Sequence, residues 1–154
     1  MSFSLDIKKF AEKAGKNANR VIRKTVLDLS SSIITRTPVG DPSRWQSKPP
    51  AGYVGGHARA NWSHSVGQLE TKEFKAIDGN EGESNISYRR IERTVHAYGS
   101  DKNAADNVHY IQNSLPYIQA LEDGHSTQSP PHAMVGLAVV EFQSFINKAV
   151  GELK

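Results

Sequence analysis

Cysteine is missing from all 154 residues, so neither a disulfide framework nor a thiolate metal site can form. A continuous run of about 18 apolar residues is missing too, and the N-terminal stretch MSFSLDIKKFAEK sets charges inside a helical pattern instead of an apolar block. Neither a membrane span nor a secretory signal is therefore expected, and the composition fits a soluble protein of a reducing compartment. The sequons Asn61-Trp62-Ser63 and Asn85-Ile86-Ser87 then carry little meaning, because glycosylation needs the secretory route. Charge of one sign does not dominate either: the formal charge is +3. No internal repeat or second composition block is present, and residues 1–154 are expected to form one domain around one core.

Charge is unevenly spread. From Lys8 to Lys24 the chain carries Lys8, Lys9, Lys13, Lys16, Arg20, Arg23 and Lys24 against one acid, Glu12, while Glu70 to Asp123 is net acidic. Opposite-sign regions favour partners of complementary potential.

Hydrophobic periodicity predicts an α+β fold: a long N-terminal helix, a small antiparallel sheet of few strands, a C-terminal helix, and a long Pro/Gly-rich loop after the first helix. From Asp6 to Thr35 apolar residues recur at three- and four-residue steps, a helix of roughly 45 Å. Lys9, Lys13, Lys16, Arg20 and Arg23 form a basic stripe on its opposite face, read either as a solvated surface or as a face toward DNA or an acidic neighbour. Leu27 and Ile34 fall on the polar side, where a monomer gains nothing from them, and are expected to be covered by the following loop or by another subunit. Pro38 ends this helix. The loop Gly40 to Gly55 holds Trp45 and Tyr53, which serve as anchors for a partner unless Trp45 folds back on its own core. Ala60 to Gly67 alternates as a half-buried strand, and Tyr88, Ile91, Val95 and Tyr98 mark a second helix with Arg89, Arg90 and Arg93 on its wet side. Val108 to Ser114 is strand-like, and LPYIQALEDG is a short helix closed by Gly124. The last helix, Ala133 to Leu153, begins with Met134, Val135, Leu137, Val139 and Val140, which leave almost no polar face and call for burial on several sides or a subunit contact.

Catalytic patterns are wanting. The histidines His57, His64, His96, His109, His125 and His132 show no metal-ligand spacing. His125 and His132, beside Glu122 and Asp123, make the one carboxylate and imidazole cluster, so a small His-dependent hydrolase ranks last among the readings. GYVGGHAR lacks the lysine and hydroxyl residue of a phosphate loop, and no serine sits in a G-x-S-x-G elbow. No cofactor is expected.

Three segments in order carry a resemblance: Thr37, Pro38 and Val39; then Gly56, Arg59 and Trp62; then Pro116, Tyr117, Glu122, Gly124 and Pro131. Together they resemble the tail-completion or neck proteins of long-tailed bacteriophages, with the stretch Gly40 to Gly55 inserted between the first two. The resemblance implies a non-catalytic structural virion protein that joins head to tail. It implies a ring homo-oligomer, a hexamer being one such ring, in contact with head-connector and tail-tube or tail-terminator proteins and close to viral DNA. Such a protein resides at the virion neck or tail after assembly in the host cytoplasm. The expected oligomer or partner contacts are Leu27, Ile34, Trp45, Tyr53, Arg59, Met134, Val135 and Leu137. The alternative is a basic-helix nucleic-acid-binding protein, for which no recognition motif accompanies the stripe.

Overall fold

The computed structural model describes residues 2–5, 18–98 and 107–153. Its elements in chain order are β1 (Ser2–Leu5), α1 (Ala18–Arg36), β2 (Trp62–Val66), α2 (Ile86–Tyr98), β3 (His109–Asn113), α3 (Ile118–Glu122) and α4 (Val135–Gly151). The fold is α+β. The three strands form an antiparallel sheet in the order β1-β3-β2, with Ser2 opposite Gln112, and Trp62 and His64 opposite Asn113 and Ile111.

Helix α1 is the axis of the core. Its buried residues come in adjacent pairs at four-residue steps: Val21 and Ile22, Thr25 and Val26, Leu29 and Ser30, Ile33 and Ile34. A stripe two residues wide covers about 100° of the helix, enough to face two neighbours at once. Those neighbours are α4 and α2. Arg36 bonds Glu141 at 2.6 Å, and Asp28 lies 3.2 Å from Lys24 and 3.8 Å from Lys148, tying α1 to α4 by charge as well. The expectation for Ile34 is thereby corrected: it is fully buried in the chain's own core, and Leu27 packs partly buried against the same cluster. A single-faced helical wheel placed both on the outside, but a helix packed on two sides has no such outside there.

One further difference concerns the N-terminus. Ser2–Leu5 is an edge strand against β3, which four residues could not announce by periodicity. The first part of the expected helix, residues 6–17, lies outside the described residues, and with it Lys9, Lys13 and Lys16.

Strand β2 is buried on both faces instead of one. Trp62 and His64 face the helices, while Ser63 and Ser65 are buried as well. The second face is covered by the segment after Gly67: Ser65 Oγ donates to Gln68 O at 2.8 Å, and the Glu70 N–H donates to the Gln112 side chain at 3.2 Å. Arg90 leaves the wet side expected of it. Its guanidinium donates to the carbonyls of Ala60 and Trp62 at 3.0 and 2.8 Å and lies 3.6 Å over the Phe74 ring. A long apolar stem lets arginine reach in this way while satisfying buried carbonyls. The start of α2 is capped by Asn85, whose side-chain oxygen accepts from Ser87 N–H at 2.8 Å.

Candidate functional site

The first two of the resembling segments meet at the end of α1, where their side chains do structural work. Thr37, the last residue before Pro38, donates through Oγ1 to Ile33 O at 2.8 Å and accepts from Trp62 Nε1 at 2.8 Å. Arg59 lies across the C-terminus of α1: Nε donates to Thr37 O at 2.8 Å, Nη2 to Thr35 O at 3.1 Å, and Nη1 to Gly79 O at 2.6 Å. A cation at this end complements the helix dipole and satisfies carbonyls that have no helical partner. Desolvation pulls the Arg59 pKa below its ordinary value, opposed by Glu81 and Asp78. Gly56 turns the chain toward Arg59 at φ +108°, and a Cβ there would come within 2.8 Å of the backbone of Asp78 and Gly79. Arg59, expected at a partner interface, is thus a buried clasp within the subunit.

The third segment is a helix cap. Glu122 is buried and accepts from the N–H groups of Met134 (3.2 Å), Val135 (3.1 Å) and Gly136 (2.8 Å), three donors that the start of α4 leaves without helical partners. The His132 N–H donates to Glu122 O at 2.6 Å, and His132 itself sits at φ +58°. Gly124, at φ +85°, lies against the Pro131 ring. The carboxylate expected to serve His125 and His132 is therefore engaged by backbone, and both imidazoles belong to exposed residues. Among the described residues no group of three or more His, Asp or Glu could hold a metal ion. Met134 and Val135, expected at a subunit contact, are instead buried in the core, fixed there by Glu122.

What the subunit presents outward lies elsewhere. Leu137, Val139 and Val140 are 46%, 52% and 79% exposed on the first turns of α4. On another surface the loop after Pro38 folds back over a cleft of about 720 Å³, lined among others by Trp45, Tyr53, His57, Glu73, Ile77 and Tyr117. That volume lies within the range of ligand pockets. The loop is built from local bonds. Asp41 caps the short turn Pro42–Arg44 by accepting from Ser43 N–H at 3.0 Å. Gln128 clamps the loop base, accepting from Asp41 N–H at 3.0 Å and donating to Val39 O at 2.8 Å. Trp45 and Tyr53 stand as a tilted pair, centroids 4.6 Å apart, with Trp45 37% exposed. A further stretch of the lining is Glu73, Lys75 and Ile77, alternate residues turned the same way. It is pinned by the Asn61 side chain, which donates to Phe74 O and accepts from Phe74 N–H at 2.9 and 2.7 Å, and by His57 Nδ1, 2.8 Å from Ala76 O. His57 Nε2 stands 3.7 Å from Glu73 Oε1. Burial, then the neighbouring Tyr53 and Glu73, push the Tyr117 hydroxyl above its ordinary pKa.

A second polar pair is wholly internal. His64 Nε2 is 3.0 Å from His109 Nδ1, and His64 Nδ1 is 2.9 Å from Thr94 Oγ1, which donates to Ile91 O at 2.8 Å. Because the Thr94 proton is spent on Ile91, Thr94 must accept from His64 Nδ1–H, and His64 Nε2 must accept from His109 Nδ1–H. Burial, and then His109, lower the His64 pKa to about 3.

No family model matches the chain, and no curated protein or solved structure matches it either. No helix among the described residues is long and apolar enough to cross a membrane. Of the sequence-predicted contact residues, Trp45 and Leu137 are exposed and Tyr53 and Leu27 half-buried, and Arg20 of the basic stripe is exposed with Arg23 half-buried. The cleft-lining stretch Glu73 to Ile77 escaped the sequence reading. Its one signal is the alternation of Glu73, Lys75 and Ile77 with Phe74 and Ala76, too short to stand out beside the neighbouring polar run.

Proposed function

We propose that this chain is a structural virion protein of a long-tailed bacteriophage, a tail-completion or head-tail joining component that assembles as a ring at the neck and acts without catalysis. The observation that supports this reading best is the structural use the resembling segments are put to. Thr37, Gly56, Arg59 and Trp62 form one clasp, and Glu122, Gly124 and Pro131 form one cap. Residues that serve the frame in this manner are those a family of assembly proteins would share while its surfaces diverge. The aromatic cleft and the exposed apolar start of α4 supply protein-contact surfaces on such a frame. The ring's neighbours are head-connector and tail-tube or tail-terminator proteins.

Particles made without the protein test the reading. Electron micrographs should show filled heads and complete tails that remain unjoined, and added purified protein should join them in a stoichiometric, saturable manner. Normal joined particles in its absence, or joining restored by trace amounts turning over, would exclude a structural role at the neck.

A further inference from the structure

The cleft under the loop has a chemistry of its own. Trp45, Tyr53 and Tyr117 line it together with one carboxylate, Glu73, whose side chain is 56% exposed. Aromatic walls of this kind take up the rings of proline-rich extended segments, which arrive already stiff and lose little freedom on binding. The carboxylate adds a place for a cation next to those rings. The chain carries a segment with those features. Lys48, Pro49 and Pro50 stand at the tip of the same loop, Lys48 and Pro50 exposed, and Lys48 makes no ion pair or hydrogen bond with the described residues. A bond from the Tyr53 N–H to Pro50 O at 3.1 Å sets the tip's return. This tip does not enter its own cleft. Trp45 before it and Gly52 to Val54 after it form the cleft wall, while residues 46–51 are absent from the lining.

We propose that the cleft receives the Lys48-Pro49-Pro50 tip of a second copy of this chain, the proline rings on the aromatic wall and the Lys48 ammonium on Glu73. Tip and cleft wall belong to one loop, so each copy can give its tip to one neighbour and receive a tip in turn. Lys75, two residues from Glu73 on the same wall, sets the direction of the incoming tip, since the reverse direction brings two ammonium groups together. The contact does not depend on the neck reading: it is a property of the purified chain.

Sedimentation equilibrium of the whole protein tests it, with tryptophan emission as a second readout. Trp62 is fully buried, so a concentration-dependent shift in emission reports Trp45. Lys48→Glu and Glu73→Lys should each weaken self-association at least tenfold, and the double exchange should restore it to within a few-fold of the parent. Pro49→Ala with Pro50→Ala should weaken it similarly. Circular dichroism should remain unchanged in all of them, since the altered side chains stand at the surface. A parent that stays monomeric at every concentration reached overturns the proposal, as does a double exchange that fails to recover. A synthetic peptide of residues 46–51 should shift Trp45 emission and compete with self-association, and a peptide that leaves both unchanged would also overturn it.

Discussion

Two regions separated by only a few residues behave in opposite ways. At the end of α1, Thr37, Arg59 and Trp62 are buried and their polar atoms are joined to one another or to backbone carbonyls. Immediately after Pro38, the loop carrying Trp45 and Tyr53 is held by turns, local pairs and Gln128, and lines an open cleft with its aromatics. The same kinds of residue, a tryptophan and polar neighbours in a proline-rich setting, lock the frame in one place and present a surface in the other. The difference is the number of hydrogen bonds that depend on each side chain. Where several do, substitution strikes stability; where none does, it should strike association.

Arg59→Ala is the sharpest cut at the locked side. It leaves the buried Thr37 carbonyl and the part-buried Thr35 and Gly79 carbonyls without their donor. A buried group left so costs about 1–3 kcal/mol and water offsets part of the loss at the other two, so a total of about 3 kcal/mol is expected in urea unfolding. A loss below about 1 kcal/mol would mean that the clasp is ornamental and that Arg59 is free for a partner after all.

Glu122→Ala comes next. Removing the acceptor of the Met134, Val135 and Gly136 N–H groups unpicks the first turn of α4, at a cost of about 2 kcal/mol. His125→Ala and His132→Ala should each stay within about 0.5 kcal/mol, since these are exposed positions. If both histidine variants also abolish joining of heads to tails while the protein remains folded, a chemical role for that loop returns.

Acid should weaken the protein through His64. Its folded pKa, about 3, lies below the ordinary 6.5. Between those values the unfolded chain binds a proton that the folded chain refuses. Stability from this group is thus complete above pH 6.5 and is lost as pH falls toward 3. The slope approaches about 1.4 kcal/mol per pH unit in the middle of that window. Urea midpoints measured from pH 7 to pH 4 should show it, and His64→Phe should flatten the profile. An unchanged profile would place the acid sensitivity at another group.

Much of the frame was legible from residue patterns because it rests on local signals. The α2 stripe of Tyr88, Ile91 and Val95, the strand around His64, the Gly124 stop and the pattern of α4 all follow from periodicity and capping. Partnership was not legible. Ile34 and Leu27 read as outward because one strip of sequence shows one helix and not the two helices packed beside it. Arg59 and Arg90 read as surface charges because the carbonyls they satisfy come from elsewhere in the chain: Thr35, Thr37 and Gly79 for Arg59, Ala60 and Trp62 for Arg90. The cleft was half visible. Trp45 and Tyr53 stood out as aromatics in a loop, whereas Glu73 to Ile77 became a wall only through Asn61 and His57, more than ten residues away.

The smallest effect on stability should come from the open side, and it decides whether the contrast between the two regions is real. Trp45 touches Tyr53 but accepts and donates no hydrogen bond with its side chain among the described residues. An aromatic pair of this type is worth about 0.5–1.5 kcal/mol beyond its buried area, and here part of Trp45 is already in water. Trp45→Ala should therefore lower unfolding stability by less than about 1 kcal/mol while reducing the proposed self-association by a large factor. Leu137→Ser with Val140→Ser gives the companion measurement on α4, where both side chains are exposed and little stability is at stake. Should Trp45→Ala melt as far down as Arg59→Ala, the loop would count as part of the core, and the division between a locked frame and a presenting surface would fall at that residue.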